Sequence, residues 1–363
     1  MANLLGSIMS EITSIKGRGA QKALGNKFAQ FNYANHQDWS YENAEEKKTK
    51  LFFETPKVVV NKVTSPDVPL EYSINPYQGC EHGCVYCYAR NSHEYWGFDA
   101  GLGFEQNIVV KQKAPDLLRK KFNSRGWKGA PIMLSGNTDC YQPLERKFKL
   151  TQALLKVCYE FKNPVGIITK NRLVLRDIEI LKALASKNFV DVVLSINSTN
   201  ELLIRKLEPR TSAYKQRIAT IEILAKENIP VSVLISPIIP GLNATDIPRI
   251  LKDTANAGAN NSGYTVVRLN GKVGEVFEDW IKKEYPKRAN KVLYQIKELH
   301  GGNLNDSRFK TRMRGEGPWA KAISEQFKLF HKKYFPNPTE FKLNSSLFKN
   351  QFTEKQLSLE FQL

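Results

Sequence analysis

The feature that most constrains this chain is an alternation, from about residue 70 to residue 275, of short Val-, Ile- and Leu-rich runs with longer amphipathic stretches. Most of the short runs are apolar at successive positions, as expected for strands that are covered on both faces. The predicted strands are 71–75, 131–135, 165–169, 190–196, 231–236 and 264–269, and helical patterns between them cover 150–161, 176–187, 217–228 and 246–258. Strands that alternate with helices imply a parallel sheet built from right-handed crossovers.

Six such units are fewer than the eight of a closed barrel, so the predicted fold is an α/β protein with a partial (β/α)6 TIM-type barrel. We place this barrel at residues 66–275, after an N-terminal extension (1–65) and before a helical C-terminal region (276–336) and a flexible tail (337–363). No apolar run reaches the ~18–20 residues that span a bilayer, and the N-terminus does not resemble a signal peptide. We therefore expect a cytoplasmic protein that does not enter a membrane.

Three of the five cysteines fall within eight residues, in "NPYQGCEHGCVYCYAR" at 75–90. Cys80, Cys84 and Cys87 form a C-x3-C-x2-C set directly after the first predicted strand, with a glycine before each of the first two. Three clustered thiolates suit a soft metal or an iron–sulfur cluster, and His82 leaves open a structural Cys3His zinc site. The position at the carboxyl end of a strand, where parallel α/β folds place their active sites, favours a reactive centre.

This motif, with Tyr86 immediately before the third cysteine, resembles that of the radical S-adenosylmethionine (SAM) superfamily. The resemblance implies a [4Fe–4S] cluster held by Cys80, Cys84 and Cys87, with SAM bound to the fourth iron. It also implies an enzyme that cleaves SAM with one electron to methionine and a 5′-deoxyadenosyl radical, which abstracts hydrogen from the substrate. The electron would come from a reductant such as flavodoxin or ferredoxin.

Polar segments at the ends of four later strands resemble the SAM-binding segments of that family. "LSGNTD" stands where the family's glycine-rich motif holds the SAM amino group, and "ITK" offers a cation for the carboxylate. "SINST" offers groups for the carboxylate or ribose, and "SPIIPGLN" resembles the segment whose backbone meets adenine. The SAM contacts implied by the resemblance are therefore Tyr86, Ser135, Gly136, Asn137, Lys170, Ser195, Asn197 and Ile238.

A narrower resemblance is to a bacterial subfamily related to spore photoproduct lyase, whose members largely lack an assigned substrate. It rests on the cysteine motif, "NTDCYQPLER", "IITKN", "LEPRT", "IPGLN", "RMRGEGPWA" and "GRGA" at 17–20. The lyase reverses a thymine dimer in DNA by radical chemistry and uses a cysteine to quench the product radical. The resemblance implies this hydrogen-donor role for Cys140, which we expect to face the cluster; a small packing residue is the alternative. Cys158 lies in an apolar helical pattern and is expected in the core.

The charge distribution favours a polyanionic partner. The net charge is +18, and the run at 111–128, "KQKAPDLLRKKFNSRGWK", holds seven basic residues and one acid. Such a surface attracts nucleic acid, although a solvated helix face is the alternative.

Several polar residues after the fourth strand and in the C-terminal region are further candidates. Glu208, Arg210 and Arg217 could form a polar network at the barrel mouth or surface ion pairs. Arg312 and Arg314 could grip phosphate or carboxylate groups, and Trp319 could stack on a base or pack in the core. The segment 356–361 resembles the short peptide by which bacterial DNA enzymes dock on the sliding clamp, with chance as the alternative.

The leading hypothesis is a radical SAM enzyme that acts on nucleic acid, with repair of a DNA lesion as the photoproduct-lyase resemblance implies. One alternative is a radical SAM enzyme that modifies a protein, a peptide or a small metabolite. The other is a zinc-stabilised binding protein without enzymatic activity.

Overall fold

The computed structural model describes residues 15–28, 48–68, 70–339 and 341–352. Its strands are β1 Lys50–Phe53, β2 Val60–Lys62, β3 Tyr72–Ile74, β4 Tyr77–Gln78, β5 Asn107–Val110, β6 Ile132–Leu134, β7 Val165–Thr169, β8 Val190–Ile196, β9 Val231–Ile238 and β10 Ser262–Val266. Its helices are α1 Leu102–Gln106, α2 Ala114–Phe122, α3 Glu145–Phe148, α4 Leu150–Phe161, α5 Ile178–Ala185, α6 Glu201–Leu207, α7 Tyr214–Lys226, α8 Ile247–Asn256, α9 Lys272–Glu284, α10 Pro286–Leu299, α11 Thr311–Arg314 and α12 Gly317–Tyr334. Short 3₁₀ helices at Tyr88–Trp96, Arg172–Asp177 and Ala244–Asp246 complete these elements.

The main sheet is a partial parallel barrel, as predicted. Its strand order is β10-β9-β8-β7-β6-β3-β2, and the six strands from β3 to β10 pair in parallel in their chain order. Helices follow the strands and return the chain to the amino edge of the sheet, which is the arrangement that right-handed crossovers produce. The predicted fold class, an α/β partial (β/α)6 barrel, is confirmed.

The predicted strand boundaries differ from the structure mainly at the two ends of the barrel. β7 and β8 match the predicted 165–169 and 190–196, whereas β9 continues to Ile238 and β10 ends at Val266 instead of 269. The register between β10 and β9 shifts between Tyr264 and Val266. Beyond it the chain leaves the strand pairing, because the Leu269 amide bonds to the Leu304 carbonyl instead.

Both faces of the sheet are covered, which explains the continuous apolar runs in the sequence. Alternate residues of the central strands, such as Ile167, Val192 and Val233, are buried in the main hydrophobic core. The residues between them face the barrel interior, where Ile168 and Leu234 line a cavity. Strands buried on both sides lack the apolar–polar alternation of a half-exposed strand.

The N-terminal residues contribute to two sheets, which the sequence pattern did not indicate. β2 pairs antiparallel with β3 at the edge of the barrel. β1 pairs parallel with β5, and β5 pairs antiparallel with β4, which gives a second sheet in the order β1-β5-β4. These strands are only two to four residues long, so they carry too little periodicity to be recognised.

Helices α9 to α12 form a helical C-terminal region, and residues 341–352 of the predicted tail contact the barrel. The Lys349 amide bonds to the Phe161 carbonyl at 3.1 Å, and the Phe348 ring lies 6.0 Å from that of Phe122. Residues 353–363, including the predicted clamp-binding peptide, lie outside the described residues. In the described part of the chain, no helix combines the length and hydrophobicity that crossing a membrane requires.

Candidate active site

A cavity of about 720 Å³ opens at the carboxyl edge of the parallel strands. One side is formed by the loop that carries Cys80, Cys84 and Cys87, which we call the cysteine loop. From this loop, Cys84, Tyr86 and Cys87 line the cavity. The floor is formed by polar residues at successive strand ends, namely Ser73, Asn75, Ser135, Gly136, Asn137, Thr169, Lys170, Ser195 and Ser236. The topology therefore brings together the motifs that the sequence analysis selected separately.

The three motif cysteines lie near one another in this loop. The Cys87 amide bonds to the Cys84 carbonyl at 3.3 Å. Burial, then Asp139, and then the sulfurs of Cys84 and Cys87 raise the pKa of the Cys80 thiol. In the described residues, no three His, Cys, Asp or Glu side chains are yet grouped as metal ligands. Three cysteine sulfurs are the donor set that an iron–sulfur cluster requires.

The backbone of the cysteine loop is fixed from several sides. The Cys80 amide bonds to the Phe104 carbonyl at 2.9 Å, and the Val85 amide bonds to the Leu207 carbonyl at 3.1 Å. The Glu81 amide donates to the Gln142 side chain at 3.0 Å. Gly83 has a φ of 68°, a conformation that favours glycine. The loop is therefore held around the mouth of the barrel before any ligand binds.

The "GRGA" segment packs directly against this loop through one buried carboxylate. Glu105 accepts hydrogen bonds from the amides of Gly19 at 3.0 Å and Ala20 at 2.8 Å. The same carboxylate pairs with Arg90 at 2.5 Å, and both side chains are fully buried. Arg90 in turn donates to the Cys84 carbonyl at 3.0 Å. The segment that the resemblance singled out therefore supports the cysteine loop.

Replacing Gly19 with alanine is expected to displace the cysteine loop. A Cβ at this position would lie 1.7 Å from the Gly83 carbonyl oxygen, a backbone atom that cannot rotate away. We expect the Gly19→Ala variant to bind less iron after anaerobic reconstitution and to unfold at lower temperature.

Gly25→Ala is the matched control for Gly19→Ala, because a Cβ on Gly25 would meet no atom within 4 Å. Equal iron content and melting temperature in the two variants would contradict the close packing of this segment on the loop.

His82 does not provide the fourth ligand of a zinc site. Its Nδ1 lies 3.4 Å from Asp139 Oδ2, and its Nε2 lies 3.2 Å from the Asn171 amide nitrogen. Both ring nitrogens are therefore already engaged with protein groups. The structure does not support the Cys3His alternative.

Asn75 organises the segment that follows β6, and the sequence analysis missed it. Its Oδ1 accepts hydrogen bonds from the amides of Gly136 at 2.9 Å, Asn137 at 2.7 Å and Thr138 at 3.3 Å. Ser135 has a φ of 81°, so this turn is strained for a residue other than glycine. The sequence signal that could have identified Asn75 is its position as a polar residue immediately after β3, the first strand of the parallel barrel.

Asp139 is a second buried carboxylate that the sequence analysis did not select. It accepts hydrogen bonds from the Thr169 hydroxyl at 2.8 Å and the Lys170 amide at 2.9 Å. Burial alone would raise the pKa of Asp139, but His82 and Lys170 outweigh burial and lower it to about 2. In the described part of the chain, the Lys170 ammonium makes no hydrogen bond or ion pair and so can take an anionic group in the cavity.

Asn197 and Ile238 do not line the cavity. Both amide atoms of Asn197 are buried without a hydrogen-bond partner among the described residues, which marks a site for a polar ligand group. Ile238 was expected to present its backbone to adenine, but its carbonyl accepts the Val267 amide at 2.9 Å and its side chain lies in the core. Ser236 and Pro237 line the cavity in its place.

Cys140 was expected to face the cluster, and this orientation is wrong. Its side chain is 0% exposed and belongs to the main hydrophobic core. Its amide donates to Ser135 Oγ at 2.9 Å, and its carbonyl accepts the Thr151 hydroxyl at 2.6 Å. The thiol therefore lies in the core, where it contacts the Ser135 side chain, and it does not line the cavity. This position does not support direct hydrogen transfer. Cys158 is buried in the core, as expected.

Glu208 and Arg217 form the buried polar network that the sequence analysis considered. Their side chains pair at 2.5 Å and are both 0% exposed. Arg217 also donates to the Ser195 carbonyl at 2.8 Å, and the Tyr86 hydroxyl bonds to Glu208. The network links the cysteine loop to the end of β8. Arg210 also contacts the cysteine loop, where it pairs with Glu81 at 3.3 Å and its amide bonds to the His82 carbonyl at 3.3 Å.

Cationic side chains form the remaining part of the cavity wall. Lys111, Arg268 and Arg312 line it, and Arg268 and Lys111 were not selected from the sequence as site residues. Burial, and then the charge of Arg312, lower the pKa of Arg268. Arg312 pairs with Asp67 at 2.5 Å, whereas Arg268 has no ion pair or hydrogen bond in the described residues and lies 5.3 Å from the Tyr88 ring centroid.

The rest of the basic run lies outside this site. Arg119 on α2 is exposed and pairs with Glu160 at 2.6 Å, and Lys120 is exposed as well. The solvated-face alternative therefore fits α2. Trp319 also lies outside the cavity, where its indole donates to Glu298 at 2.8 Å.

Comparison with known proteins relates the chain to one large enzyme group. The model of the radical SAM superfamily matches residues 74–254. An uncharacterized protein of Methanocaldococcus jannaschii is 33% identical over 216 residues, which cover 60% of this chain and 77% of that protein. An uncharacterized protein of Mycobacterium tuberculosis is 29% identical over 238 residues, which cover 65% of this chain and 70% of that protein.

Among solved structures, spore photoproduct lyase complexed with dinucleoside spore photoproduct has a similar fold. The TM-score is 0.59 at 17% sequence identity, with 79% of this chain and 80% of that chain covered. At 17% sequence identity, this similarity shows that the two proteins share a fold.

Proposed function

The chain belongs to the radical SAM superfamily, and on this premise we propose that its substrate is nucleic acid, specifically a DNA strand that carries a lesion. As a member, the protein is an enzyme that uses a [4Fe–4S] cluster and SAM. When bound, these groups supply a 5′-deoxyadenosyl radical that abstracts hydrogen. The cofactors follow from membership of the superfamily, whereas the residues that bind them and the substrate are our proposal.

Within this proposal, Cys80, Cys84 and Cys87 hold the cluster. Lys170 binds the SAM carboxylate, since its ammonium lines the cavity. Ser195, which lines the same cavity, binds a further polar group of SAM. The turn at 135–137 contributes to the wall of the same pocket. The chain's own contribution is to bind and orient SAM on one side of the cavity.

The observation that carries the nucleic-acid proposal is the set of cationic side chains, Lys111, Arg268 and Arg312, that line the same cavity. Arg268 lines the cavity and forms no ion pair or hydrogen bond among the described residues, and the nearby acid, Asp67, is paired with Arg312. An arginine fork binds phosphate through two parallel hydrogen bonds. Tyr88 and Trp96 also line the cavity, and aromatic rings stack on bases. A solved relative in fold binds a dinucleoside spore photoproduct, which supports a DNA lesion as the substrate.

Replacing Arg268 with glutamine is expected to weaken binding of a single-stranded oligonucleotide by about 10–100-fold, because it removes a charge-assisted hydrogen bond worth ~1.5–3 kcal/mol. Fluorescence anisotropy across a salt series measures this effect, and the affinity of the unmodified protein should fall as salt rises. Oligonucleotides with and without a thymine photoproduct test the lesion preference.

Arg119→Gln is the control for Arg268→Gln, since Arg119 lies on exposed α2 and should leave the affinity unchanged. If the unmodified protein binds neither oligonucleotide, nucleic acid is not the substrate. A peptide or small-metabolite substrate then becomes the better assignment.

A further inference from the structure

We propose that a second cavity, on the outer side of β10, binds the phosphates that flank the nucleotide held in the first cavity. The inference rests on the proposed function and makes it more specific. The substrate would be a strand of several nucleotides rather than a free nucleotide or a dinucleoside.

This second cavity has a volume of about 610 Å³ and lies between β10 and α12. Its lining includes Tyr264 from β10, Arg314 from α11, and Lys321, Ser324 and Lys328 from α12. Positions three, four and seven residues apart lie on one face of a helix. The three α12 side chains therefore form a single polar stripe along the cavity.

The basic groups of this cavity are largely without acidic partners. Within the described residues, Arg314 and Lys328 form no ion pair or hydrogen bond, and Lys321 has only Glu325 at 4.0 Å. That contact is on the surface and weak. The acid that lines the cavity, Glu316, is already paired with Arg308 at 2.8 Å. The cavity is therefore positively charged and open to an anion.

The geometry of Arg314 suits a phosphate ligand. Its guanidinium carbon lies 4.1 Å from the centroid of the Tyr264 ring. An aromatic ring under the guanidinium fixes its position and leaves its N–H groups available. Phosphate oxygens accept such hydrogen bonds in pairs.

The two cavities are neighbours across the edge of the barrel. On α11, Arg312 and Met313 line the first cavity, whereas Arg314 lines the second. On β10, Thr265 lines the first cavity and Tyr264 lines the second, because successive side chains of a strand point to opposite faces. Arg312 and Arg314 are two residues apart, so their Cα atoms are separated by at most about 7 Å. A nucleic-acid strand that leaves the first cavity over α11 therefore meets Arg314 and the lysines of the second cavity.

A double variant, Lys321→Gln/Lys328→Gln, tests the proposal by fluorescence anisotropy with a 12-nucleotide single strand and with the dinucleotide TpT. We expect the variant to bind the 12-mer about tenfold more weakly near 0.1 M salt. A plot of the logarithm of the association constant against the logarithm of the salt concentration should be less steep by about 1.4, because each lost phosphate contact lowers the slope by about 0.7. Binding of TpT should be unchanged, because TpT occupies only the first cavity.

Lys282→Gln/Lys283→Gln on α9 is the matched control. It removes the same charge from the solvent-facing side of a helix that lines neither cavity. Equal weakening of the 12-mer by both double variants would overturn the inference, because net charge alone would then explain the effect. An unchanged 12-mer affinity in the α12 variant, or equal losses for TpT and the 12-mer, would also overturn it.

These outcomes are distinct from failure of the proposed function itself. If the unmodified protein binds the 12-mer but the α12 variant does so equally well, only the second cavity is rejected. If the unmodified protein binds neither ligand, the nucleic-acid substrate is rejected, and the flanking-phosphate site with it.

Discussion

Replacing Cys84 with alanine is expected to remove the iron–sulfur chromophore and to lower the rate of SAM cleavage by more than about 100-fold. Loss of a residue that only supports a metal ligand already lowers activity by up to about 100-fold, and loss of a ligand itself should cost more. Cys84 lies in the cysteine loop and lines the cavity. A cluster held by three thiolates cannot keep its coordination when one ligand is lost. Anaerobic preparation, iron and sulfide analysis and visible absorbance measure this effect independently of activity.

Cys158→Ala is the control for Cys84→Ala. Cys158 is fully buried in the core and lies in α4. Its replacement should lower stability slightly, because it leaves a small cavity, and should leave the iron content unchanged. A Cys84→Ala variant that keeps a full complement of iron, or an unmodified protein that binds stoichiometric zinc, would contradict the proposed ligand set.

Replacing Glu105 with glutamine is expected to destabilise the protein by about 3–5 kcal/mol, because it leaves the buried Arg90 charge without its partner. The two side chains are 2.5 Å apart and fully buried. Glutamine also replaces a charged acceptor of the Gly19 and Ala20 amides. The loss should appear as a lower denaturant midpoint with an unchanged slope, and as weaker iron retention by the cysteine loop.

Glu160→Gln provides the matched control for Glu105→Gln. Glu160 pairs with Arg119 at 2.6 Å, a similar distance, but both side chains are about half exposed. Exposed pairs contribute only about 0–1 kcal/mol, so this variant should unfold near the midpoint of the unmodified protein. An equal decrease of the denaturant midpoint in the two variants would show that burial does not determine how much the Arg90–Glu105 pair stabilises the protein.

The barrel was predictable because its central strands carry a strong local signal. β7 and β8 are covered on both faces, so most of their positions are apolar and the runs are conspicuous in the sequence. β1, β2 and β5 could not be found in this way. They are short, and β1 pairs with a segment more than fifty residues away, so their formation depends on contacts that no local pattern records.

The candidate site was predictable where a residue's place in the fold follows from strand order. Cys84, Ser135 and Lys170 follow successive strands of the barrel, and Ser195 lies near the end of the next strand, β8. The carboxyl ends of parallel strands meet at one edge. Side-chain direction did not follow from this reasoning. Cys140 comes only six residues after β6, yet the turn held by Ser135 and Thr151 places its side chain in the core.

By itself, the sequence determined the parallel barrel, the cysteine motif and the edge at which polar residues gather, because each depends on residue order and local periodicity. Only the tertiary structure decided which side chains share the cavity. It placed Arg268 and Lys111 on the wall of the cavity, and it placed Glu105 and Asp139 against the cysteine loop. The physical reason is that a buried charge is stable only beside partners that distant segments bring to it.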